Sequence, residues 1–480
     1  MREIDVLVIG AGPGGYPAAI RSAQLGNKVI LVEKGYIGGE CLNWGCIPSK
    51  ALISASDFYY RMLHKSSEMG IEVEGVKIDI LKLQDWKERV QSKLINGIKQ
   101  LLKGNKVEVI MGTAKFVNNE IVQIVFNEGE TEEIKPKNII LATGSQFSTL
   151  PDIKIDDNDI LSAKGILELK VIPENFVIIG GGIIGIELGT VFAKLGSKVT
   201  IVEIMPDLIR GLDPMIIKIL KKRLSELNVT VLTNTKVDSV VRKGKNFEVT
   251  VEETNEKKTL VADKVMVSVG KRANFDDLEL SKTGIKLDER GFISTNLKQQ
   301  TSIPHIYAVG DCTGGPFLAH RATKQGVIAA EVLSGQYSEA DFKAMPGAIF
   351  TDPEIAFVGL TEEEAKAEGF KVITTLAPFA ASGRAMTTQD EEGFVKAVVD
   401  EENGILLGVQ IIGPHASDLI SEVSLALEMG ATSEDIGFTV HPHPTLPEMI
   451  MEALEAAQGK AIHVANPKKK KEKHQNLTDR

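Results

Sequence analysis

The sequence has few cysteines, no long apolar run and no excess of positive charge. Only Cys41, Cys46 and Cys312 occur in 480 residues, a number too small and odd for a structural disulfide framework. No stretch approaches the roughly 18 to 20 apolar residues of a membrane-spanning helix, and no secretory signal is visible. The net charge of −10 supplies no basic face for nucleic acid. We therefore expect a cytoplasmic protein that binds neither membrane nor nucleic acid.

Two β-α-β units of the kind that binds nucleotides are predicted along the chain. In each, a short apolar segment (residues 4–9 and 177–179) leads into a glycine-rich turn and a helical pattern, and a second apolar segment follows (29–32 and 199–203). The units start about 170 residues apart, which is close to the size of one domain. Since a chain of this length is too long for one hydrophobic core, we expect two to four domains.

The pattern changes from about residue 347 onward. Segments 393–399 and 404–412 alternate as antiparallel strands do, and a helical pattern follows at 417–429. These segments predict a third domain of α+β type. The lysine-rich tail after Pro467 is predicted to be disordered, with binding to an anionic surface as the less favoured alternative.

The glycine-rich turns at 10–15 and 180–185 both fit the pattern G-x-G-x-x-G. Glycines at this spacing allow a tight turn and a close approach of backbone N–H groups to a pyrophosphate at the start of a helix. Glu33 and Glu203 follow about twenty residues later, where a carboxylate accepts hydrogen bonds from a ribose. At Glu203 the carboxylate also favours NAD over NADP. A solvated surface glutamate is the alternative for Glu203.

The cysteine pair carries the chemistry in this sequence. Cys41 and Cys46 follow directly on the first nucleotide-binding unit, with glycines around them and Pro48 after them. A reversible disulfide is the favoured interpretation, because a zinc site would need further ligands at recognisable spacing and plain core packing would not need the shaped turn. Lys50 supplies a positive charge that can lower a thiolate pKa. Cys312 is expected to be a small buried residue.

A possible general base lies near the C-terminal end of the chain. In the segment 441–448, His443 is followed by the carboxylate residue Glu448, which can orient the ring and stabilise its cation. A rigid loop built on the His-Pro repeat is an equally good interpretation of this segment by itself.

The order of these motifs resembles the flavin disulfide reductases, and among them the dihydrolipoamide dehydrogenases. The matching segments are the first glycine motif, Gly-Gly-x-Cys-Leu-Asn-x-Gly-Cys-Ile-Pro-Ser-Lys at 38–50, the second glycine motif, Tyr-Ala-Val-Gly-Asp at 307–311 and His-x-His-Pro-Thr-Leu-x-Glu at 441–448. They span roughly residues 3 to 460. Trp44, Pro442 and Pro447 depart from the commonest residues but leave the spacings intact.

The resemblance implies FAD and NAD as cofactors. FAD would lie with its pyrophosphate on the first glycine motif, its adenosine ribose at Glu33 and its ribityl chain at Asp311, and NAD would use the second motif with Glu203. Lys50 and Glu187 would form an ion pair near the flavin. The expected cofactor-binding residues are Gly10, Gly12, Gly15, Glu33, Lys50, Gly144, Gly180, Gly182, Gly185, Glu203, Gly270 and Asp311.

The resemblance also implies an α/β fold, with two Rossmann-like dinucleotide-binding domains and a C-terminal α+β dimerisation domain. The expected segments are an FAD-binding domain at 1–149 and 276–345, an NAD-binding domain at 150–275, a dimerisation domain at 346–465 and the basic tail at 466–480. The chain would be a homodimer in which the His443–Glu448 dyad of one subunit serves Cys41 and Cys46 of the other. Cys41 would be the exposed sulfur that exchanges with a dihydrolipoyl thiol, and Cys46 the one against the flavin.

Several functions remain open from the sequence. Oxidation of a dihydrolipoyl group, free or on a lipoyl-bearing protein of a 2-oxo acid dehydrogenase complex, is the first expectation. Reduction of another small disulfide by NADH or NADPH is the alternative, and Arg210 leaves some NADPH use open although Ile204 stands where relatives that use NADP have a first arginine. A mainly structural role in a lipoyl complex, docked by the basic tail, is the third.

Overall fold

The structure is a computed structural model in which residues 1–467 are described. The predicted tail lies outside the described residues, apart from its first two positions. The strands within the described part are β1 (Arg2–Ile9), β2 (Val29–Glu33), β3 (Glu108–Phe116), β4 (Val122–Phe126), β5 (Thr131–Leu141), β6 (Ser145–Phe147), β7 (Ile160–Leu161), β8 (Asn175–Ile179), β9 (Lys198–Val202), β10 (Thr230–Leu232), β11 (Thr235–Lys243), β12 (Asn246–Glu253), β13 (Glu256–Ala262), β14 (Lys264–Val267), β15 (Lys271–Ala273), β16 (Ile306–Ala308), β17 (Gly347–Ile349), β18 (Glu354–Gly359), β19 (Val372–Pro378), β20 (Phe394–Asp400) and β21 (Leu406–Gly413).

Helices connect these strands. They are α1 (Gly15–Gln24), α2 (Gly39–Asn43), α3 (Cys46–His64), α4 (Ile80–Gly104), α5 (Ala163–Leu167), α6 (Ile183–Lys194), α7 (Pro214–Glu226), α8 (Ala319–Leu333), α9 (Glu362–Ala367), α10 (Gly383–Thr388), α11 (Ala416–Met429), α12 (Ser433–Gly437) and α13 (Glu448–Ala457). In the described residues no helix combines the length and the apolar character that crossing a membrane requires.

The first sheet contains the first predicted nucleotide-binding unit. Its order is β1-β2-β3-β4-β5-β16, and β1 also pairs with β5. β1 runs parallel to β2 and to β5, so β1 lies inside the sheet and its residues 6–9 are buried. Continuous apolar runs are what buried parallel strands require, and the predicted strand–turn–helix–strand unit is confirmed.

The second nucleotide-binding unit forms a separate parallel sheet. Its order is β10-β9-β8-β14-β7, and all four pairings are parallel. The last four residues of β8 are buried, as expected for a central strand. A small antiparallel sheet, β11-β12-β13, is inserted before β14, and the burial along β12 alternates because only one face meets the core.

The C-terminal part is built on an antiparallel sheet. Its order is β17-β18-β21-β20-β19, and helices α11 and α13 share one hydrophobic core with it. This arrangement confirms the predicted α+β domain and completes the predicted fold class of two Rossmann-like units with an α+β domain.

The chain divides into two compact units. The first contains Met1–Ile209 and Leu224–Asp341, and the second contains Arg210–Arg223 together with the described residues from Phe342 onward. The segment Arg210–Arg223 thus belongs to the second unit, although it falls within the segment predicted to bind NAD. The finer division into FAD-binding and NAD-binding segments stays a prediction.

Candidate active site

The first glycine loop connects β1 to α1 and has room for a ligand at one position only. Gly10 has φ +101°, and a Cβ there would lie 2.4 Å from the carbonyl oxygen of Ala142. A Cβ on Gly15 would lie 1.8 Å from the carbonyl oxygen of Gly10. At Gly12, by contrast, the nearest heavy atom would be 3.8 Å away. The outer glycines therefore shape the turn, and the middle one leaves the start of α1 open to a pyrophosphate.

The second glycine loop, between β8 and α6, repeats this geometry. Gly180 has φ +110°, and its Cβ would lie 2.2 Å from the carbonyl oxygen of Ser268. A Cβ on Gly185 would lie 2.4 Å from the carbonyl oxygen of Gly180, whereas at Gly182 nothing lies within 4 Å. The two loops thus fit two dinucleotides on the same physical grounds.

The acidic residues after each unit hold the glycine loops. Glu33 accepts hydrogen bonds from the N–H groups of Ala11 at 2.7 Å and Gly35 at 2.8 Å. Glu203 accepts two, from the N–H groups of Gly181 at 2.6 Å and Met205 at 2.7 Å. A carboxylate has about four acceptor sites, so each can still accept a bond from a ribose hydroxyl. The sequence suggests only the contact of each glutamate with a ribose, and the hydrogen bonds from the glycine loops to Glu33 and Glu203 are not evident from it.

One cavity of about 370 Å³ joins the first glycine loop to residues 41–46, the segment between and including the two cysteines, which we call the cysteine turn. Its lining includes several residues that the sequence singles out: Gly10, Gly12, Glu33, Cys41, Cys46, Gly144 and Asp311. Residues more than 250 positions apart in the chain therefore share one site. Its walls combine a phosphate-type loop with two thiols, a combination that suits a dinucleotide with a redox-active end.

The two cysteines lie at the junction of α2 and α3. Cys41 is within α2, Cys46 is the first residue of α3, and both are free thiols. A hydrogen bond from Cys41 lowers the pKa of Cys46, and the nearby Lys50 lowers it further. The same hydrogen bond, together with burial, raises the pKa of Cys41. In this single chain the Cys46 residue is exposed and the Cys41 residue is half-buried.

Two ion pairs link α3 to α6. Nζ of Lys50 lies 2.9 Å from Oε2 of Glu187, whose side chain is only 5 % exposed. Seven residues further along both helices, Asp57 pairs with Lys194. The Lys50–Glu187 pair has the geometry that the resemblance implies. The second pair was not predicted, because neither Asp57 nor Lys194 belongs to a motif that carries the resemblance.

The predicted base lies in the loop before α13. Nδ1 of His443 is 2.9 Å from Oε1 of Glu448, and Oε2 of Glu448 accepts the N–H of Thr445 at 2.7 Å. Burial raises the pKa of Glu448, but the hydrogen bonds from Thr445 and His443 outweigh it and bring that pKa below its usual range. The His443 side chain is 80 % exposed, so its outer nitrogen is accessible to a reactant.

The remaining predicted residues lie outside the strands and α-helices, with Asp311 and Cys312 in the short 3₁₀ helix Gly310–Thr313. Asp311 accepts a hydrogen bond from the Ser145 hydroxyl at 2.6 Å. Gly144 and Gly270 both have positive φ, at +71° and +116°, and both follow the strands that the sequence predicts. Cys312 is fully buried, as expected for a packing residue, and burial raises its pKa to about 11.

Glu40 and Lys271 are among the charged residues of the cavity that were not predicted. Glu40 and Lys271 both line it and form an ion pair. The sequence offers only weak signals for them: Glu40 stands between a glycine and Cys41, and Lys271 follows the predicted strand–glycine segment that ends at Gly270.

Comparison with known proteins gives a family for this fold and site. Residues 4–326 match the model of the pyridine nucleotide-disulphide oxidoreductases, and residues 345–454 match the dimerisation domain of that family. The chain is 50 % identical over 462 residues to a dihydrolipoyl dehydrogenase of Geobacillus stearothermophilus, covering 96 % of this chain and 98 % of that protein. It is 46 % identical to a dihydrolipoyl dehydrogenase of Bacillus subtilis (strain 168), with the same coverage of both.

Solved structures agree with the family. The crystal structure of LpdA from Mycobacterium tuberculosis superposes with a TM-score of 0.88 at 26 % identity, covering 94 % of this chain and 99 % of that one. The HOCl-induced flavoprotein disulfide reductase RclA from Escherichia coli, solved as a Cu(II) complex, gives 0.85 at 27 % identity, with coverage of 95 % and 99 %. The chain therefore belongs to the pyridine nucleotide-disulphide oxidoreductase family.

Proposed function

We propose that this chain oxidises the dithiol of dihydrolipoamide to lipoamide and reduces NAD⁺ to NADH. The observation that carries the proposal is the shared cavity, in which Cys41 and Cys46 face the same space as the first glycine loop. The extent of likeness to dihydrolipoyl dehydrogenases, over 96 % of the chain, supports this substrate.

FAD and NAD are the cofactors, and the glycine loops fit them. Gly12 and Gly182 leave space beside a helix start, where backbone N–H groups can bind a pyrophosphate. We assign the first loop, Glu33 and Asp311 to FAD, and the second loop and Glu203 to NAD. The chemistry that FAD supplies when bound is acceptance of two electrons from the dithiol and their transfer to NAD⁺.

The two thiols of the chain divide the exchange chemistry. A thiolate of dihydrolipoamide attacks Cys41 of the Cys41–Cys46 disulfide, the S–S bond breaks, and Cys46 leaves as a thiolate. The second substrate thiol then displaces Cys41, which releases lipoamide and a Cys41 thiol. Cys46 suits the leaving position because Lys50 lowers its pKa, and once Cys41 is a thiol again its hydrogen bond lowers the pKa of Cys46 further. Its exposure toward the cavity suits contact with the flavin.

His443 is the proposed base that removes the substrate protons. Its Nδ1 is held by Glu448, so the other ring nitrogen can accept a proton while the carboxylate stabilises the resulting cation. The family dimerisation domain at 345–454 makes the chain a homodimer, and we propose that His443 serves the cysteines of the partner subunit. A reducing cytoplasm is the proposed compartment, because it suits a catalytic thiol pair.

Steady-state kinetics of the purified holoenzyme test the substrate. We expect turnover with dihydrolipoamide and NAD⁺, and much weaker reduction of other small disulfides by NADH or NADPH. The opposite preference would favour a disulfide reductase, as the structural relative RclA is named. Adding a purified lipoyl domain in place of free dihydrolipoamide would show whether a lipoyl-bearing protein, such as one of a 2-oxo acid dehydrogenase complex, is the better substrate.

Single cysteine variants test the two roles. Cys41→Ser should abolish dihydrolipoamide turnover and keep a long-wavelength absorption band from the Cys46 thiolate beside the flavin. Cys46→Ser should lose both. Cys312→Ala is the matched control and should keep turnover and the band, because this buried sulfur takes no part in exchange. Identical spectra for the first two variants would contradict the assignment.

A further inference from the structure

We propose that Glu40 and Lys271 are positioning residues for the dithiol: their ion pair fixes the turn that carries Cys41 and balances a carboxylate charge beside Cys46. This proposal rests on the proposed function, because it takes Cys41 and Cys46 as the redox pair of the enzyme. It does not depend on which dithiol is the substrate.

The ion pair joins two segments that are far apart in the chain. Glu40 precedes Cys41 within α2, and its carboxylate contacts Nζ of Lys271, 231 residues later. The two side chains are 24 % and 13 % exposed. Lys271 begins β15, where it lies opposite Phe147 of β6, and its Nζ is 5.4 Å from the centre of the Phe147 ring. The cation is therefore confined by packing as well as by its charge partner.

The same two strands connect the ion pair to a second residue of the cavity. β6 and β15 pair from Phe147–Lys271 to Ser145–Ala273. At the far end of this short sheet, the Ser145 hydroxyl donates to Asp311. The turn that carries Cys41 and the residue that we assign to the ribityl chain are thus held by one two-stranded sheet.

The charges around the dithiol show why Lys271 matters. Burial raises the pKa of Glu40, the contact with Lys271 opposes this increase, and Asp311 adds to it. The charge of Glu40 in turn disfavours the Cys46 thiolate, whereas Lys50 favours it. Removing Lys271 alone would leave the Glu40 carboxylate uncompensated beside the dithiol. Removing the Glu40 charge alone would leave the Lys271 cation uncompensated, so the two changes should act in opposite directions.

The test is a pH titration of the two-electron-reduced holoenzyme under anaerobic conditions. Reduction adds two electrons and one proton to the Cys41–Cys46 disulfide and gives the Cys41 thiol and the Cys46 thiolate. The long-wavelength band of that thiolate beside the flavin reports its ionisation. We expect K271M to raise the midpoint pH of the band by about one pH unit and E40Q to lower it by a similar amount. The double variant should return to within about 0.3 pH units of the parent value.

Matched controls separate this effect from general loss of charge. K135M and E120Q break an exposed Lys–Glu pair elsewhere and should leave the midpoint unchanged. K271R keeps the cation and should also keep the midpoint. If K271M loses FAD, the shift expected for E40Q still tests the proposal. The flavin-to-protein ratio of every variant is measured alongside.

Three results would overturn the proposal: single variants that move the midpoint in the same direction, a double variant that does not recover it, or variants that weaken the band without moving its midpoint. The last result would mean that the pair is only structural. The variants could show the expected shifts in midpoint while the parent enzyme does not oxidise dihydrolipoamide. That result would reject the proposed substrate and leave the role of the ion pair standing.

Discussion

The second glycine loop allows NAD binding to be separated from folding, because two of its glycines are needed for different reasons. Gly182 has φ −79° and ψ 177°, a conformation that alanine adopts freely, and its Cβ would meet no atom within 4 Å. A Cβ on Gly185 would lie 2.4 Å from the carbonyl oxygen of Gly180. Alanine at 182 should therefore fit the folded chain, and alanine at 185 should not.

The expected magnitudes follow from this geometry. Gly182→Ala should change the free energy of unfolding by less than about 1 kcal/mol, since it adds no contact and removes some freedom from the unfolded chain. It should raise KM for NAD⁺ at least about tenfold, equivalent to about 1.4 kcal/mol, because the methyl group occupies the approach to the N–H groups at the start of α6. Gly185→Ala should cost about 3 kcal/mol or more through overpacking.

The assay compares KM for NAD⁺, flavin content and thermal midpoint in the two variants. Gly97→Ala, in the middle of α4 with nothing within 4 Å of the added Cβ, is the control for replacing a glycine outside the loop, and its KM should match that of the parent. An unchanged KM for NAD⁺ in Gly182→Ala would refute the assignment of this loop to the NAD pyrophosphate.

Three further predictions concern charges. Lys50→Met removes the cation that pairs with a buried carboxylate on α6 and should cost about 3 kcal/mol in denaturant unfolding, whereas Lys50→Arg should largely retain stability. His443→Gln should reduce dihydrolipoamide turnover by about 10²- to 10⁴-fold and spare NADH oxidation by an artificial electron acceptor; equal losses in both assays would contradict a role as base. Lys366 and Lys396 lower the pKa of Glu362 from 4.5 to about 2, so its stabilisation is present above about pH 4.5 and is lost as the pH falls toward 2. The difference in thermal midpoint between the parent and Glu362→Gln should shrink over that range, and a constant difference would contradict this reasoning.

Local features of the fold could be predicted from the sequence. Buried parallel strands need continuous apolar runs, and the segments predicted at 4–9 and 177–179 are the cores of β1 and β8. The glycine turns were equally predictable, because positive φ and close backbone approach restrict Gly10 and Gly180 to glycine. Such signals lie within about twenty residues of chain, which is the range over which a sequence pattern can be interpreted directly.

Contacts between distant segments could not be predicted in the same way. Asp57–Lys194 and Glu40–Lys271 join residues 137 and 231 positions apart, and either charge alone looks like an ordinary surface residue.

Glu187 and Lys271 act on the dithiol through their charge partners on the cysteine segment. Glu187 pairs with Lys50 after Cys46, and Lys271 pairs with Glu40 before Cys41. Both pairs place one member on the cysteine segment and the other on α6 or β15, within or next to the segment predicted to bind NAD. The thiolate state of Cys46 therefore depends on the packing of that segment against the cysteine turn. A small displacement of α6 or β15 would change the charge balance at the dithiol, because the interaction between partly buried charges varies strongly with distance.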